Sequence, residues 1–136
     1  MTDLQSPPTG LRGPVELRVP PEPTMSRVLR LAASGVASLT GFSVSEIDDI
    51  KIAVSEVLIA LIEHGSGHPV EVRFTVGDDE FVIDGSTQVD GAFDLDHPDL
   101  RLCRTVLDGV CTEHRIEHAN GAAYITAVLH RPFPAG

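Results

Sequence analysis

The stretch that decides the fold is SVSEIDDIKIAVSEVLIALIEH, residues 43–64. It opens with Ser43 and Glu46, the S-x-x-E pattern in which a hydroxyl caps the helix and the carboxylate reaches back to the N-cap amide. Ile47, Ile50, Val54, Val57, Leu58 and Leu61 then recur near a 3.6-residue period, the stripe of an amphipathic helix, and Gly65 and Gly67 end it. Glu56, Ala60 and His64 fall at i, i+4 and i+8, so their side chains line one face of that helix.

Upstream of this helix, Val15, Leu17 and Val19 alternate with Glu16 and Arg18, a half-buried strand that Pro20, Pro21 and Pro23 terminate. Thr24 is the expected N-cap of a preceding helix with Met25, Val28, Leu29, Ala32, Val36 and Leu39 facing inward and Gly41 as its stop. Downstream, Val70, Val72, Phe74 and Val76 alternate, and a Gly77-Asp78-Asp79 turn leads into a strand over 80–84. Residues 85–99 read as an irregular loop. A third helix is expected over about 100–110, with Leu102, Val106, Leu107 and Val110 inward. Strands over 111–118 and 122–130 flank Asn120-Gly121, a strong hairpin signal. The order implies an α+β fold, a two-layer sandwich of a mixed, mostly antiparallel sheet with helices on one face. A tail is expected over 1–13, one domain over 14–131, and a second tail over 132–136.

Composition narrows the function classes. With 136 residues, 42% hydrophobic and 22% charged, the chain can bury a core without disulfide or metal staples. Its apolar runs are broken by charges well short of a membrane span. Met1-Thr2-Asp3 lacks the basic and apolar regions of a secretory leader, and Cys103 and Cys111 have no ligand-like pairing, so a reduced, cytoplasmic protein is expected. A net charge of −10 and a single lysine, Lys51, argue against nucleic acid. Between Arg73 and Arg101 there is no Lys or Arg, while Asp78, Asp79, Glu80, Asp84, Asp90, Asp94, Asp96 and Asp99 all lie there. This is either a solvated acidic segment or a surface for a basic partner.

Several local constellations carry no chemistry. Cys111, His114 and His118 are spaced like zinc ligands, but residues four apart on a strand are about 13 Å apart, too far to share an ion. Ser55 and His64 lie on different helix faces and form no nucleophile–base pair. Arg104 and Asp108 are spaced for an ordinary i, i+4 pair.

The order of elements, together with Asp49-Ile50-Lys51-Ile52-Ala53-Val54-Ser55-Glu56-Val57, Phe81-Val82-Ile83-Asp84-Gly85 and the run from Leu100 to Val110, resembles the GHKL (histidine kinase-like ATPase) domain of bacterial anti-sigma factors. More narrowly it is similar to the serine-protein kinases of partner-switching systems, in their divergent actinobacterial form. The resemblance runs from about Pro14 to Arg131. It implies an anti-sigma regulatory factor that binds a sigma factor and an anti-anti-sigma (STAS-type) antagonist, as a homodimer, with ATP and magnesium as cofactors. The alternative it implies is an active ATP-dependent serine/threonine kinase that phosphorylates the antagonist.

Residue by residue, the resemblance makes Glu56 the catalytic carboxylate that activates the nucleophile. It makes His64, Asp84 and Gly85 cofactor-binding residues, Asp84 as the acceptor of the adenine amino group. Asp84-Gly85 also reads as an ordinary turn closing a strand. The family's magnesium-ligating Asn is replaced here by Ala60, which offers no oxygen, so no metal ligand is expected. Where the family places phosphate-cradling glycines, this chain has His97-Pro98-Asp99. Proline has no N–H, and Asp99, the expected N-cap, sets its own charge in the anion site. ATP binding is therefore expected to be weak or lost.

Overall fold

The computed structural model describes residue 11 and residues 13–131. Apart from Leu11 and Gly13, the two expected tails lie outside the described residues. The elements are β1 (Val15–Val19), α1 (Met25–Leu39), α2 (Val44–His64), β2 (Val70–Val76), β3 (Glu80–Gln88), α3 (Pro98–Val110), β4 (Glu113–Ala119) and β5 (Ala122–His130). The strands form one sheet in the order β1-β2-β3-β5-β4. Every pairing in it is antiparallel, so the sheet is not mixed. The three helices cover one face, with α2 packed between α1 and α3 and against β3 and β5.

Helix α2 organises the core. Its capping box forms: the Ser43 hydroxyl accepts from the Glu46 amide at 3.2 Å, and the Glu46 carboxylate accepts from the Ser43 amide at 2.7 Å. Val54, Val57, Leu58 and Leu61 are buried against the inward residues of the sheet, among them Phe74, Phe81, Ile83 and Ile125. Each such side chain contributes about 1.5–3 kcal/mol by leaving water. The hairpin between β4 and β5 turns on Asn120 and Gly121, at φ 52° and 73°. Positive φ at both central residues gives the twist that antiparallel strands need.

Tertiary packing moved several expected boundaries. Strand β3 does not end at Asp84 but runs to Gln88, because Gly85, Ser86 and Thr87 pair in register with Ile125, Tyr124 and Ala123. Helix α3 begins at Pro98, and His97 rather than Asp99 is its N-cap. On α3 the buried residues are Leu100, Cys103 and Leu107, while Leu102 is open to solvent. On α1, Leu29, Ala33, Val36 and Ala37 face inward and Val28 and Leu39 outward. The small Ala33 and Ala37 are fully buried on the side of α1 that packs against α2. Thr24 precedes α1 without a side-chain cap, since the Met25 and Ser26 amides already donate to the Glu22 and Pro23 carbonyls.

Candidate functional site

Helices α2 and α3 lie side by side, and between them runs a cleft of about 290 Å³ lined by Glu56, Ala60, Glu63, His64, Asp99 and Cys103, with Ile59 and Leu102 at its sides. Glu56, Ala60 and His64 reach it together, as their helical spacing requires. Burial first, and then the charge of Glu63, push the Glu56 carboxyl above its usual range. The Cys103 thiol donates to the Glu56 carbonyl at 3.9 Å. Burial, reinforced by Glu56, raises that thiol to about 11, so it stays protonated and unreactive near neutral pH.

At one end of the cleft His64 meets the start of α3. The His64 and His97 rings are 4.7 Å apart by centroid, and Phe93 stands edge-on to His64 at 6.4 Å. Asp99 Oδ2 lies 3.9 Å from His64 Nε2 and 3.8 Å from His97 Nδ1. One ligating atom from each of His64, His97 and Asp99 falls within 4.8 Å of the others, the group among the described residues that could hold a metal ion.

The other expected cofactor residues are elsewhere. Gly85 faces α2, where an added Cβ would come within 2.6 Å of Val57 Cγ1 and 2.8 Å of Leu61 Cδ1. The missing side chain lets the helix sit close on the strand. Asp84, one residue earlier, is on the opposite, open face of the sheet. There it accepts from the Thr126 hydroxyl at 2.9 Å and lines a hollow of about 530 Å³ with Glu16, Arg18, Glu71 and Arg73. The structure therefore brings Glu56 and His64 together and does not bring Asp84 to them. Where β3 does end, Asp90 is anchored beside the C-terminus of α2. Its carboxylate meets His68 Nε2 at 2.7 Å and Gln88 Nε2 at 3.1 Å, and its amide donates to the Ser66 hydroxyl. The His68 bond holds the Asp90 carboxyl below its usual range. In the sequence it is marked by the Asp90-Gly91 pair, which follows the end of β3 with Gly91 at φ 130°.

Set against the needs of a magnesium nucleotide, the cleft offers carboxylates and a methyl group. Ala60 is almost fully buried and presents only a methyl group. The lining holds three carboxylates, Glu56, Glu63 and Asp99, and neither Lys nor Arg. The first turn of α3 has no amide to spare for phosphate. Pro98 has none, the Asp99 amide donates to His97 Nδ1 at 3.0 Å, and the Leu100 and Arg101 amides donate to the His97 carbonyl. A helix N-terminus binds anions through such groups when they are free. Here they are spent within the helix.

Residues 19–120 match the sequence profile described as the histidine kinase-like ATPase domain. Over 86 residues, 60% of this chain and 53% of the relative, the sequence is 37% identical to the serine-protein kinase RsbW of Bacillus velezensis. The Bacillus subtilis serine-protein kinase RsbW is 36% identical over the same shares. The chain spans about half the length of the curated relatives it matches. The crystal structure of the RsbU and RsbW domains of a Mycobacterium tuberculosis protein matches with a TM-score of 0.69. That match covers 88% of this chain and 32% of the other at 21% identity, a likeness of fold.

Proposed function

The chain belongs to the histidine kinase-like ATPase family, and we propose that it is an anti-sigma regulatory factor of a partner-switching system with a degenerate ATP site. In this reading it binds a sigma factor and is released by an anti-anti-sigma protein. It works as a cytoplasmic homodimer, and its domain extends over 14–131. The kinship with the RsbW serine-protein kinases supports the regulatory role. No helix among the described residues is long and apolar enough to cross a membrane.

The observation that carries the degenerate site is the chemistry of the cleft: a methyl at Ala60, three carboxylates, and a first turn of α3 whose amides are all engaged or absent. An ATP polyphosphate entering there meets like charge. Two unit charges at about 4 Å repel by ~1 kcal/mol in water and by several times that when partly desolvated. Partner recognition needs no such chemistry, because helix and sheet faces persist when a nucleotide site decays.

Active phosphotransfer is the second reading, and Glu56 favours it. A carboxylate with a raised pKa, held in a cleft, is what a general base for a serine hydroxyl requires. The test uses the purified full chain with each sigma factor of its own genome and the cognate STAS-type antagonist. A stable sigma complex that the antagonist dissolves, with no phosphate transferred from labelled ATP, is expected. Failure to hold any sigma factor would overturn the regulatory reading. Phosphorylation of the antagonist that Glu56→Ala abolishes would establish the kinase instead.

A further inference from the structure

We propose that His64, His97 and Asp99 bind one divalent transition-metal ion of the zinc class at the end of the α2–α3 cleft. The proposal builds on the degenerate-site reading: a cleft that no longer accepts a magnesium nucleotide takes a metal ion on its own.

The donor set points to the metal. Two imidazole nitrogens and one carboxylate oxygen suit Zn²⁺ or Co²⁺, whereas magnesium demands a shell of oxygens. The ligands come from separate elements, His64 from the last turn of α2 and His97 and Asp99 from the start of α3, so the fold converges them. His64 is held in place, with a side chain only 15% exposed and Phe93 against its ring. Zinc–nitrogen bonds of about 2.0–2.1 Å put tetrahedral ligand atoms about 3.3 Å apart. The His64–His97 pair of ligand atoms, within 4.8 Å, must close by up to about 1.5 Å, and the 3.8 and 3.9 Å separations from Asp99 need a contraction of about half an ångström. Asp99, whose side chain is largely exposed, is free to make it.

Ligation by His97 either takes Nδ1 from its N-cap bond with the Asp99 amide or turns the ring to present Nε2, and either way that bond is given up. The positive end of the α3 dipole opposes a cation. Asp99 offsets it from within the first turn, and Glu56 and Glu63 line the same cleft with no basic side chain among the lining residues. Three protein ligands would leave a fourth position for water.

Other imidazole–carboxylate contacts offer two groups each: His68 with Asp90, His114 with Asp108, and His130 with Glu80. They serve as internal controls.

The experiment is a titration of the untagged full chain with Zn²⁺ by calorimetry and with Co²⁺ by visible absorption, in the absence of nucleotide. One equivalent of Zn²⁺ is expected, with the ligand-field bands of a low-coordinate Co²⁺ site. Both signals should be lost in His64→Gln and in His97→Ala and retained in His130→Ala and Cys103→Ser. His64→Gln changes the last residue of α2 conservatively, and far-UV circular dichroism confirms that each variant is folded. Absence of stoichiometric binding in the wild type, or binding that survives both ligand substitutions, would overturn the proposal. Because no nucleotide is present, either result is independent of whether ATP binds.

Discussion

The hollow on the open face of the sheet and the cleft between α2 and α3 are both lined by charged side chains, yet they are built on opposite logic. On the open face the charges are matched strand to strand. Glu16 stands opposite Arg73, with 3.6 Å between their charged atoms, Arg18 stands opposite Glu71 in register, and Asp84 takes the Thr126 hydroxyl. Such cross-strand pairs are how a sheet stabilises a solvated face. In the helix cleft no register imposes a partner, and Glu56, Glu63 and Asp99 face two imidazoles at most. Charge matched by the ladder serves the fold, and charge gathered without a partner is available to a ligand. The larger hollow is therefore the less informative one.

The sharpest way to break this comparison lies in two adjacent residues. Gly85→Val should cost about 1–3 kcal/mol by overpacking against Val57 and Leu61, read from urea denaturation. An unchanged midpoint would mean that α2 does not sit on that strand. Asp84→Asn, one residue away on the other face, should cost at most about 1 kcal/mol, the worth of one exposed-face hydrogen bond. A loss matching that of Gly85→Val would erase the distinction between the faces.

The smallest expected effect has the opposite sign. Glu56 has a raised pKa in the folded chain, so its contribution to stability is full below the ordinary carboxylate pKa and is lost as pH rises through the raised value. Glu56→Gln does not suffer that loss. Thermal melts should show the variant slightly more stable than wild type at neutral pH and equal to it below about pH 4. A variant less stable at neutral pH would mean that the Glu56 charge is satisfied by a partner.

Where local chemistry dictates structure, the sequence was legible. The capping box at Ser43, the period of α2, the β2 alternation and the Asn120-Gly121 turn each appear where their residues place them. What escaped was decided by packing. Gly85-Ser86 has the composition of a turn, and it stays in the strand because it pairs in register with Ile125 and Tyr124, with Gly85 leaving room for Val57 and Leu61 of α2. Asp84 lies on the face opposite Gly85, since strand neighbours point to opposite faces. Of the candidate site, Glu56 and His64 were readable because a helix fixes their common face. The meeting of His64 with His97 and Asp99 was not, because it depends on how α3 docks on α2 rather than on any spacing along the chain.

Calorimetric titration of the folded chain with ATP and ADP, with and without Mg²⁺, tests most directly whether the cleft has lost its nucleotide. No binding at millimolar nucleotide is expected. Nor should Ala60→Asn restore it, because the first turn of α3 would still withhold its amides and present Asp99. Micromolar, magnesium-dependent binding by the wild-type chain would contradict the degenerate site and make this cleft an active ATP site.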